Sequence, residues 1–494
     1  MELDPRLNGR PAPTDPAYGR FHLLGVGGVA MTALAGLLAG QGYVVSGSDA
    51  GIYPPMSDIL RDLKIQVTEG YDQGTLPTET TVVVGNVVTR KFPVLKDLVE
   101  RGQPYLSLPQ TLGELFLGQK KNIVVAGCHG KTTITNLLAR LLESAGLRPG
   151  YLIGGQSLDL AQSYAAGAGE WFVIEGDEYD SAFFQKVPKF IFYQPNLVIL
   201  TGVEYDHGDI YPDLASVIEA YGQLMSLLPA EGLLLANGDD PLCRQLAKRA
   251  RSPAQFYGWG ENNDWRLTDY QPGPEFAFKL AGPGANLSCA WSRPGAHNAL
   301  NAAVALIAAL HVGADPAILL ATLKTIRGVK RRQELLGQWG GIRLIDDFAH
   351  HPTAVAKTIA ALKDTAPGRL LVAFEPRSNT TRRAVFQDSY AQALAGAEAV
   401  FLAAVNQPDK APPADRLDPE ALVNSLLAQG VKAQYLPDPQ ELLLAIARET
   451  RAGDTVALMS NGDFGGLAGQ LARKLAEMAK EPNDFFAPEP NKKH

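Results

Sequence analysis

The stretch Asn122-Ile-Val-Val-Ala-Gly127-Cys-His129-Gly130-Lys131-Thr132-Thr133 constrains this chain more than any other. A short β-branched run ends in a glycine-rich turn, and Lys-Thr-Thr then opens a helical pattern through Leu142. That order predicts strand, phosphate loop, helix. Gly127 and Gly130, with His129 between them, let backbone N–H groups close around phosphate oxygens, and the helix N-terminus adds the positive end of its dipole. Lys131 supplies a point charge for β/γ-phosphates, and the Thr132 hydroxyl, next to Thr133, suits a Mg²⁺ ligand. The full consensus lacks its first glycine, because Val125 stands there. A bare Gly-Lys-Thr is most often a chance turn; the strand before it and the helix after it favour nucleotide binding.

A chain of 494 residues is too long for one core, and about three domains is the natural expectation. A net charge of −7 argues against a general nucleic-acid binder. One loop can still bind a small anion inside an acidic protein. The three cysteines, Cys128, Cys243 and Cys289, show neither a disulfide framework nor zinc spacing, which fits a reducing, cytoplasmic setting. No apolar run reaches the length needed to span a bilayer, so no membrane insertion is expected. Residues 1–20 read as a flexible extension rather than a signal peptide, and 481–494 as a flexible tail.

In chain order, Phe21-His-Leu-Leu-Gly25-Val-Gly27-Gly28-Val-Ala30 predicts a strand turning into a helix that ends near Gly40. Val44 to Gly47 is a second strand, with Asp49 at its end. Gly25, Gly27 and Ala30 fit Gly-x-Gly-x-x-Gly/Ala, and Asp49 lies near the distance expected for a ribose contact. Alone, this turn fits an NAD-dependent oxidoreductase. The physics is close backbone approach to a diphosphate, and a UDP-sugar carries one too. Strands over Val82–Gly85 and Pro104–Ser107 and a helix from Thr111 to Gln119 complete a first domain, 21–119.

The second domain, 120–335, opens with the phosphate loop. Trp171–Ile174 runs into Glu175-Gly-Asp177-Glu178-Tyr-Asp180, and Leu197–Leu200 into Thr201-Gly-Val-Glu204-Tyr-Asp206-His207. Ligands of parallel α/β sheets sit at the carboxyl ends of strands, so both runs are expected on the rim that carries Lys131. Carboxylate and imidazole beside phosphates make a reasonable Mg²⁺ environment, with Glu175 weighted above Asp177, Glu178 and Asp180. His297 and Asn298 either cap the helix that follows or present an amide to a base. Gly328-Val-Lys330-Arg331-Arg332-Gln-Glu334 is a basic turn, either a solvated charge run or a phosphate contact. The third domain, 336–480, has strands at Ile342–Ile345, Leu370–Phe374, Val400–Leu402 and Thr455–Leu458. They end in Asp346-Asp347-Phe-Ala-His350-His351-Pro352, Glu375-Pro-Arg377-Ser-Asn379-Thr380 and Ser460-Asn461-Gly-Asp463. This predicts a second doubly wound sheet.

Taken together, Gly127-x-His129-Gly130-Lys131-Thr132-Thr133, Glu175-x-Asp177-Glu178, Asp206-His207, His297-Asn298-x-x-Asn301, Arg331-Arg332 and Asp347-Phe-x-His350-His351-Pro352 resemble the Mur ligase family, in family order across 21–466. These are the ATP-dependent amino-acid and peptide ligases of bacterial cell-wall synthesis. The resemblance implies an α/β, three-domain architecture: a Rossmann-like UDP-binding domain, a central P-loop ATPase domain and a C-terminal Rossmann-like domain. It implies that ATP converts the lactyl carboxylate of UDP-N-acetylmuramate into an acyl phosphate, which an amine then attacks.

Gly25-x-Gly27-Gly28-x-x-Met31 resembles the members that load UDP-N-acetylmuramate itself. Tyr53-Pro-Pro-Met-Ser57, Glu375-Pro-Arg377-Ser-Asn379-Thr380 and Met459 to Gly466 look like the branch that attaches the murein tripeptide L-Ala-γ-D-Glu-meso-diaminopimelate in peptidoglycan recycling. The branch that adds L-alanine usually carries His-Arg-Tyr-Thr-Arg at the second of these, and is the alternative.

The family resemblance further implies roles for individual residues. Lys131 would stabilise the γ-phosphoryl group within the loop of Gly127, His129, Gly130, Thr132 and Thr133. Thr132, Glu175 and His207 would hold Mg²⁺. Asn298 and Asn301 would face the base, Arg332 the phosphates, Asp347 the ribose and His351 the reacting centre. Gly25, Gly27, Gly28 and Asp49 would receive the UDP-sugar, and Arg377 with Asn379 the peptide's carboxylates. Several relatives place a carbamylated lysine after the metal-binding histidine, yet no lysine lies between Lys189 and Lys248 here. The oxidoreductase reading leaves the Lys131 loop without a role. Oligomeric state is not written in any of these motifs.

Overall fold

The computed structural model describes residues 19–480 except 73, 207 and 209. The expected flexible ends therefore lie almost wholly outside the described residues, as does His207.

Three sheets carry the chain. The first has five parallel strands, in the spatial order Gln66–Glu69, Val44–Asp49, Arg20–Leu24, Thr81–Val84, Tyr105–Ser107. The second has ten, and its parallel centre runs Leu233–Asn237, Pro195–Leu200, Lys121–Ala126, Trp171–Gly176 and Gly150–Leu152. An antiparallel meander of Trp265–Gln271, Phe276–Gly282 and Ala285–Trp291 extends one edge. The third has six strands, all parallel except Glu334–Trp339, which pairs antiparallel with Ile342–Asp347. Glu334–Trp339 crosses the boundary expected between residues 335 and 336, so the third sheet begins before that point. Its side chains are only partly buried, which hid it from a search for apolar runs.

Burial explains the central strands. Ile123, Val124, Val125 and Ala126 are wholly buried, as are Leu197 to Leu200, because helices cover both faces of a parallel sheet. The helix Lys131–Ser144 lies on one face, against Ala296–His311. The helix Val29–Gly40 joins the cluster on the other face, tying the first sheet to the second. At that junction Gly36 leaves no room for a Cβ, which would stand 2.2 Å from the Tyr164 ring.

The connection between the first two sheets differs from expectation. The helix starts at Leu108, not Thr111, because Ser107 and Gln110 form a capping box, and it passes into a π-helical turn, Gly113–Leu117. Asn122, wholly buried where the next strand begins, donates from its amide to the carbonyls of Leu117, Tyr193 and Gln194 at 3.1, 2.9 and 3.2 Å. Its backbone N–H donates to Asn196 Oδ1 at 2.9 Å. Asn122→Leu should therefore strand buried carbonyls and cost about 1–3 kcal/mol, read as a lower denaturant midpoint. An unchanged midpoint would show that this amide does not anchor the linker.

Candidate active site

Carboxyl-terminal strand ends of the central sheet meet residues of the third sheet around a cavity of about 430 Å³. Val29 and Ala30 of the first domain close one side. Of the residues expected at a nucleotide site, His129, Gly130, Lys131, Thr132, Thr133, Glu175, Asn298, Asn301, Arg332, Asp347 and His351 all line it. Gly127 sits just behind. Its φ is +117°, and a Cβ there would lie 2.3 Å from Thr201 Oγ1, so the turn requires glycine. Gly130, at φ +82°, is the N-cap of the helix Lys131–Ser144, and its Cβ would strike Asn301 Oδ1 at 2.6 Å.

The Lys131 ammonium is held inside this loop. It donates to the Gly127 carbonyl at 2.9 Å and to Glu178 Oε2 at 3.0 Å, with Asp177 at 3.8 Å. Burial pulls its pKa down, but the Glu178 and Asp177 carboxylates more than offset that and leave it raised. Beside it the Thr132 hydroxyl donates to Glu175 Oε2 at 2.9 Å, and Glu175 Oε1 accepts from the Gly154 N–H at 2.5 Å. Burial and the Asp177 charge push the Glu175 carboxyl up.

Arg332 reaches across from the basic turn, 3.4 Å from Thr132 Oγ1, with its guanidinium 4.5 Å above the Phe348 ring. Its neighbours Arg331 and Gln333 have φ of +59° and +51°, a strained pair on either side of it. Asp347 accepts from the backbone N–H groups of Gln333 at 2.7 Å and Ala349 at 2.7 Å, so its carboxylate pins this turn. Asn298 does not cap its helix. Gly295 is the N-cap, and the Asn298 amide donates to Pro294 O at 2.9 Å and Gln333 Oε1 at 3.3 Å. His351 caps the helix Pro352–Lys363, accepting from the Thr353 N–H at 3.3 Å.

A second hollow, also of about 430 Å³, adjoins the first, and Tyr179 lines both. It contains Arg377 and Asn379 as expected, together with Arg382 and Lys410, and among the described residues no carboxylate lines it. Arg377 pairs with Asp463 at 3.0 Å and Glu375 at 3.7 Å, while Arg382 donates to Asn379 Oδ1 at 2.8 Å.

Gly25, Gly27, Gly28 and Asp49 stand apart from both hollows, in the turn leading to the helix Val29–Gly40. Asp49 differs from its expected role. Its Oδ2 accepts from the Gly27 N–H at 2.8 Å and its Oδ1 from the Gly51 N–H at 3.3 Å, so the carboxylate clamps the glycine turn. Burial and that same carboxylate push the Tyr71 phenol up to about 12.

Family models match the same three blocks. Residues 20–120 match the Mur ligase family catalytic domain, 125–309 the Mur ligase middle domain, and 331–462 the Mur ligase glutamate ligase domain. This chain belongs to the Mur ligase family. As a Mur ligase it is an ATP-dependent enzyme that forms a C–N bond. It is 36% identical over 466 residues to the UDP-N-acetylmuramate–L-alanyl-γ-D-glutamyl-meso-2,6-diaminoheptandioate ligase of Escherichia coli, covering 93% of this chain and 99% of that protein. It is also 36% identical over 471 residues to the UDP-N-acetylmuramate–L-alanine ligase of Kineococcus radiotolerans, covering 93% and 97%. The solved murein peptide ligase of Psychrobacter arcticus superposes with a TM-score of 0.71 at 33% identity, over 93% of this chain and 99% of that one.

Sequence reasoning weighted Glu178 below Glu175, named Glu204 only within its strand-end run, and passed over Gln333 and Arg382. Glu178 is 1% exposed, and what marks it is burial against Lys131, invisible in a run of four acidic residues. Arg382 lies five residues past Arg377, so its signal was there as a second guanidinium in the same loop.

Two predictions follow from this geometry. Lys131→Ala should abolish turnover and also cost about 3–5 kcal/mol, because Glu178 stays buried without its ammonium partner. Adding Glu178→Gln should restore the denaturant midpoint but not phosphate release; near-normal release in either variant would contradict the assignment. The second concerns acid. Burial, aided by Lys357, lowers His297 from 6.5 to about 3, and burial lowers His350 to about 4. Between pH 6.5 and about 4 the unfolded chain binds more protons, so stability should fall as pH drops through that window. Midpoints at pH 7, 6 and 5 should decline, and His297→Gln should flatten the slope.

Proposed function

We propose that this Mur ligase joins the lactyl carboxylate of UDP-N-acetylmuramate to the α-amine of L-Ala-γ-D-Glu-meso-diaminopimelate, with ATP as the energy source. The observation that carries the reading is the second hollow, where Arg377, Arg382 and Lys410 gather beside the nucleotide cavity with no carboxylate among the described lining residues. A tripeptide of that composition carries three carboxylates, as many as these cations, whereas L-alanine carries one. Guanidinium groups suit carboxylates because they grip them bidentately. Relatives named for the tripeptide substrate support the same reading, and those named as L-alanine ligases are the weaker alternative.

In this reading the sugar carboxylate attacks the γ-phosphorus, ADP departs, and the peptide amine then displaces phosphate as the C–O bond breaks and the C–N bond forms. Lys131 exchanges Glu178 for γ-phosphoryl oxygens, and Arg332 neutralises charge from the opposite side. The Thr132 hydroxyl and Glu175 carboxylate, all-oxygen donors 2.9 Å apart, fit a hard divalent cation. They would hold Mg²⁺, which would neutralise phosphate charge. Asn298 and Asn301 face the base, and His351 stands at the reacting centre. The glycine turn Gly25–Gly28, fixed by Asp49, receives the UDP diphosphate through its remaining N–H groups. Arg377 and Asn379 receive peptide carboxylates. Closure of the third domain keeps water from the acyl phosphate.

Phosphate release should require UDP-N-acetylmuramate, ATP, Mg²⁺ and tripeptide together, and L-alanine should not replace the peptide. Arg377→Ala and Lys410→Ala should each raise the tripeptide KM by about tenfold or more, near 1.4 kcal/mol, while leaving the KM for ATP unchanged. Efficient turnover with L-alanine alone would instead make this the L-alanine ligase.

A further inference from the structure

One cluster at the edge of the nucleotide cavity joins the phosphate-loop His129 and His351 to a carboxylate that the chemistry above does not use. His129 of the phosphate loop, Glu204 after the strand Pro195–Leu200 and His351 of the third domain each offer one donor atom, all within 4.8 Å of one another. His129 Nε2 lies 3.6 Å and His351 Nδ1 3.4 Å from Glu204 Oε2. In a tetrahedral complex with bonds of about 2.0–2.1 Å, ligand atoms stand about 3.3 Å apart. The two measured edges are within a few tenths of that spacing.

The donors are prepared as well as placed. His351 Nε2 faces the Tyr205 carbonyl at 3.3 Å, which puts the ring proton on Nε2 and leaves Nδ1 unprotonated; its lone pair accepts from the Thr353 N–H at 3.3 Å, a cap that a metal bound at Nδ1 would replace. A carbonyl on the far nitrogen is the usual outer partner of a metal-bound imidazole. His129 Nε2 is buried and has no hydrogen-bond partner among the described residues. Glu204 Oε2 also accepts from the Thr353 hydroxyl at 2.6 Å, which fixes the carboxylate rotamer.

We propose that His129, Glu204 and His351 form a site for a borderline transition-metal ion of the Zn²⁺ class, distinct from the Thr132–Glu175 donors. Two imidazoles and one carboxylate suit Zn²⁺, whereas Mg²⁺ prefers six oxygens. The fourth position is left to water. Because two ligands belong to the central domain and one to the third, a bound ion would tie the third domain to the phosphate loop and hold the two together without nucleotide.

The test is calorimetric titration of ZnCl₂ into the nucleotide-free, full-length enzyme, with Co²⁺ visible absorption reporting geometry. One Zn²⁺ should bind per chain, resist excess Mg²⁺, and give the intense Co²⁺ bands of four-coordination. Glu204→Gln and His351→Asn should each weaken binding about tenfold or more. Glu175→Gln should leave it unchanged. Asn keeps a capping oxygen for the helix Pro352–Lys363, so His351→Asn carries the test should Glu204→Gln fail to fold. The proposal is overturned by wild-type protein that binds no Zn²⁺, by binding unaltered in both ligand variants, or by binding lost only with Glu175→Gln.

Discussion

The ion pair between Lys131 and Glu178 is the interaction on which the rest of this site depends. Two unit charges about 3 Å apart attract by on the order of 5 kcal/mol at an effective dielectric near 20. Removing both from water costs several kcal/mol per ion, so the pair stands near break-even. That near-balance is functional in this reading. A lysine held by a strong net attraction would not release its carboxylate, and one with no partner would lose its proton in so buried a place. Glu178 keeps the ammonium charged and in position until phosphate oxygens replace it.

Topology brings the other groups to that ammonium. In the central sheet the strands Lys121–Ala126, Trp171–Gly176 and Pro195–Leu200 are adjacent and parallel, so their carboxyl ends deliver the phosphate loop, Glu175 to Glu178 and Glu204 to Asp206 to one rim. The third sheet contributes from the opposite side through a single short connection. Its second strand ends at Asp347, whose carboxylate holds the Gln333 N–H and so fixes the strained turn carrying Arg332. One buried aspartate therefore links the nucleotide-facing arginine to the start of the third domain. A role so taken up with backbone donors leaves Asp347 less free for a ribose than its place in the motif implied.

What could be read from the chain follows from which interactions are local. The phosphate loop, the glycine turn after Leu24 and the strand-end acidic runs are patterns of neighbours in sequence, and each lies where periodicity and glycine placement put it. Glu334–Trp339 and Lys432–Leu436 were not foreseen as strands, because edge strands with half-exposed side chains lack the apolar run that marks central ones. Asp49 has a second role for a different reason. Its spacing suits a ribose contact, but the carboxylate satisfies the Gly27 N–H, a pairing that only the fold reveals. Arg332 and Asn298 had two open readings each, and long-range contacts to Thr132 and Gln333 decided what they touch.

The two hollows differ in charge, and the difference bears on how each receives an anion. Lys131, Arg293, Arg332 and Lys357 line the phosphate-loop cavity against Glu175, Asp177, Asp206 and Asp347, an equal count of each sign. A triphosphate entering that balance adds uncompensated negative charge beside carboxylates in a poorly screened setting, which is costly. A divalent cation between Thr132 and Glu175 would remove that excess, which is how a neutral cavity would come to need a metal. In the hollow of Arg377, Arg382 and Lys410, Arg377 already holds Asp463 and Glu375, so an entering anion would compete with those carboxylates, and its affinity should weaken with salt as far as the cations remain open to solvent.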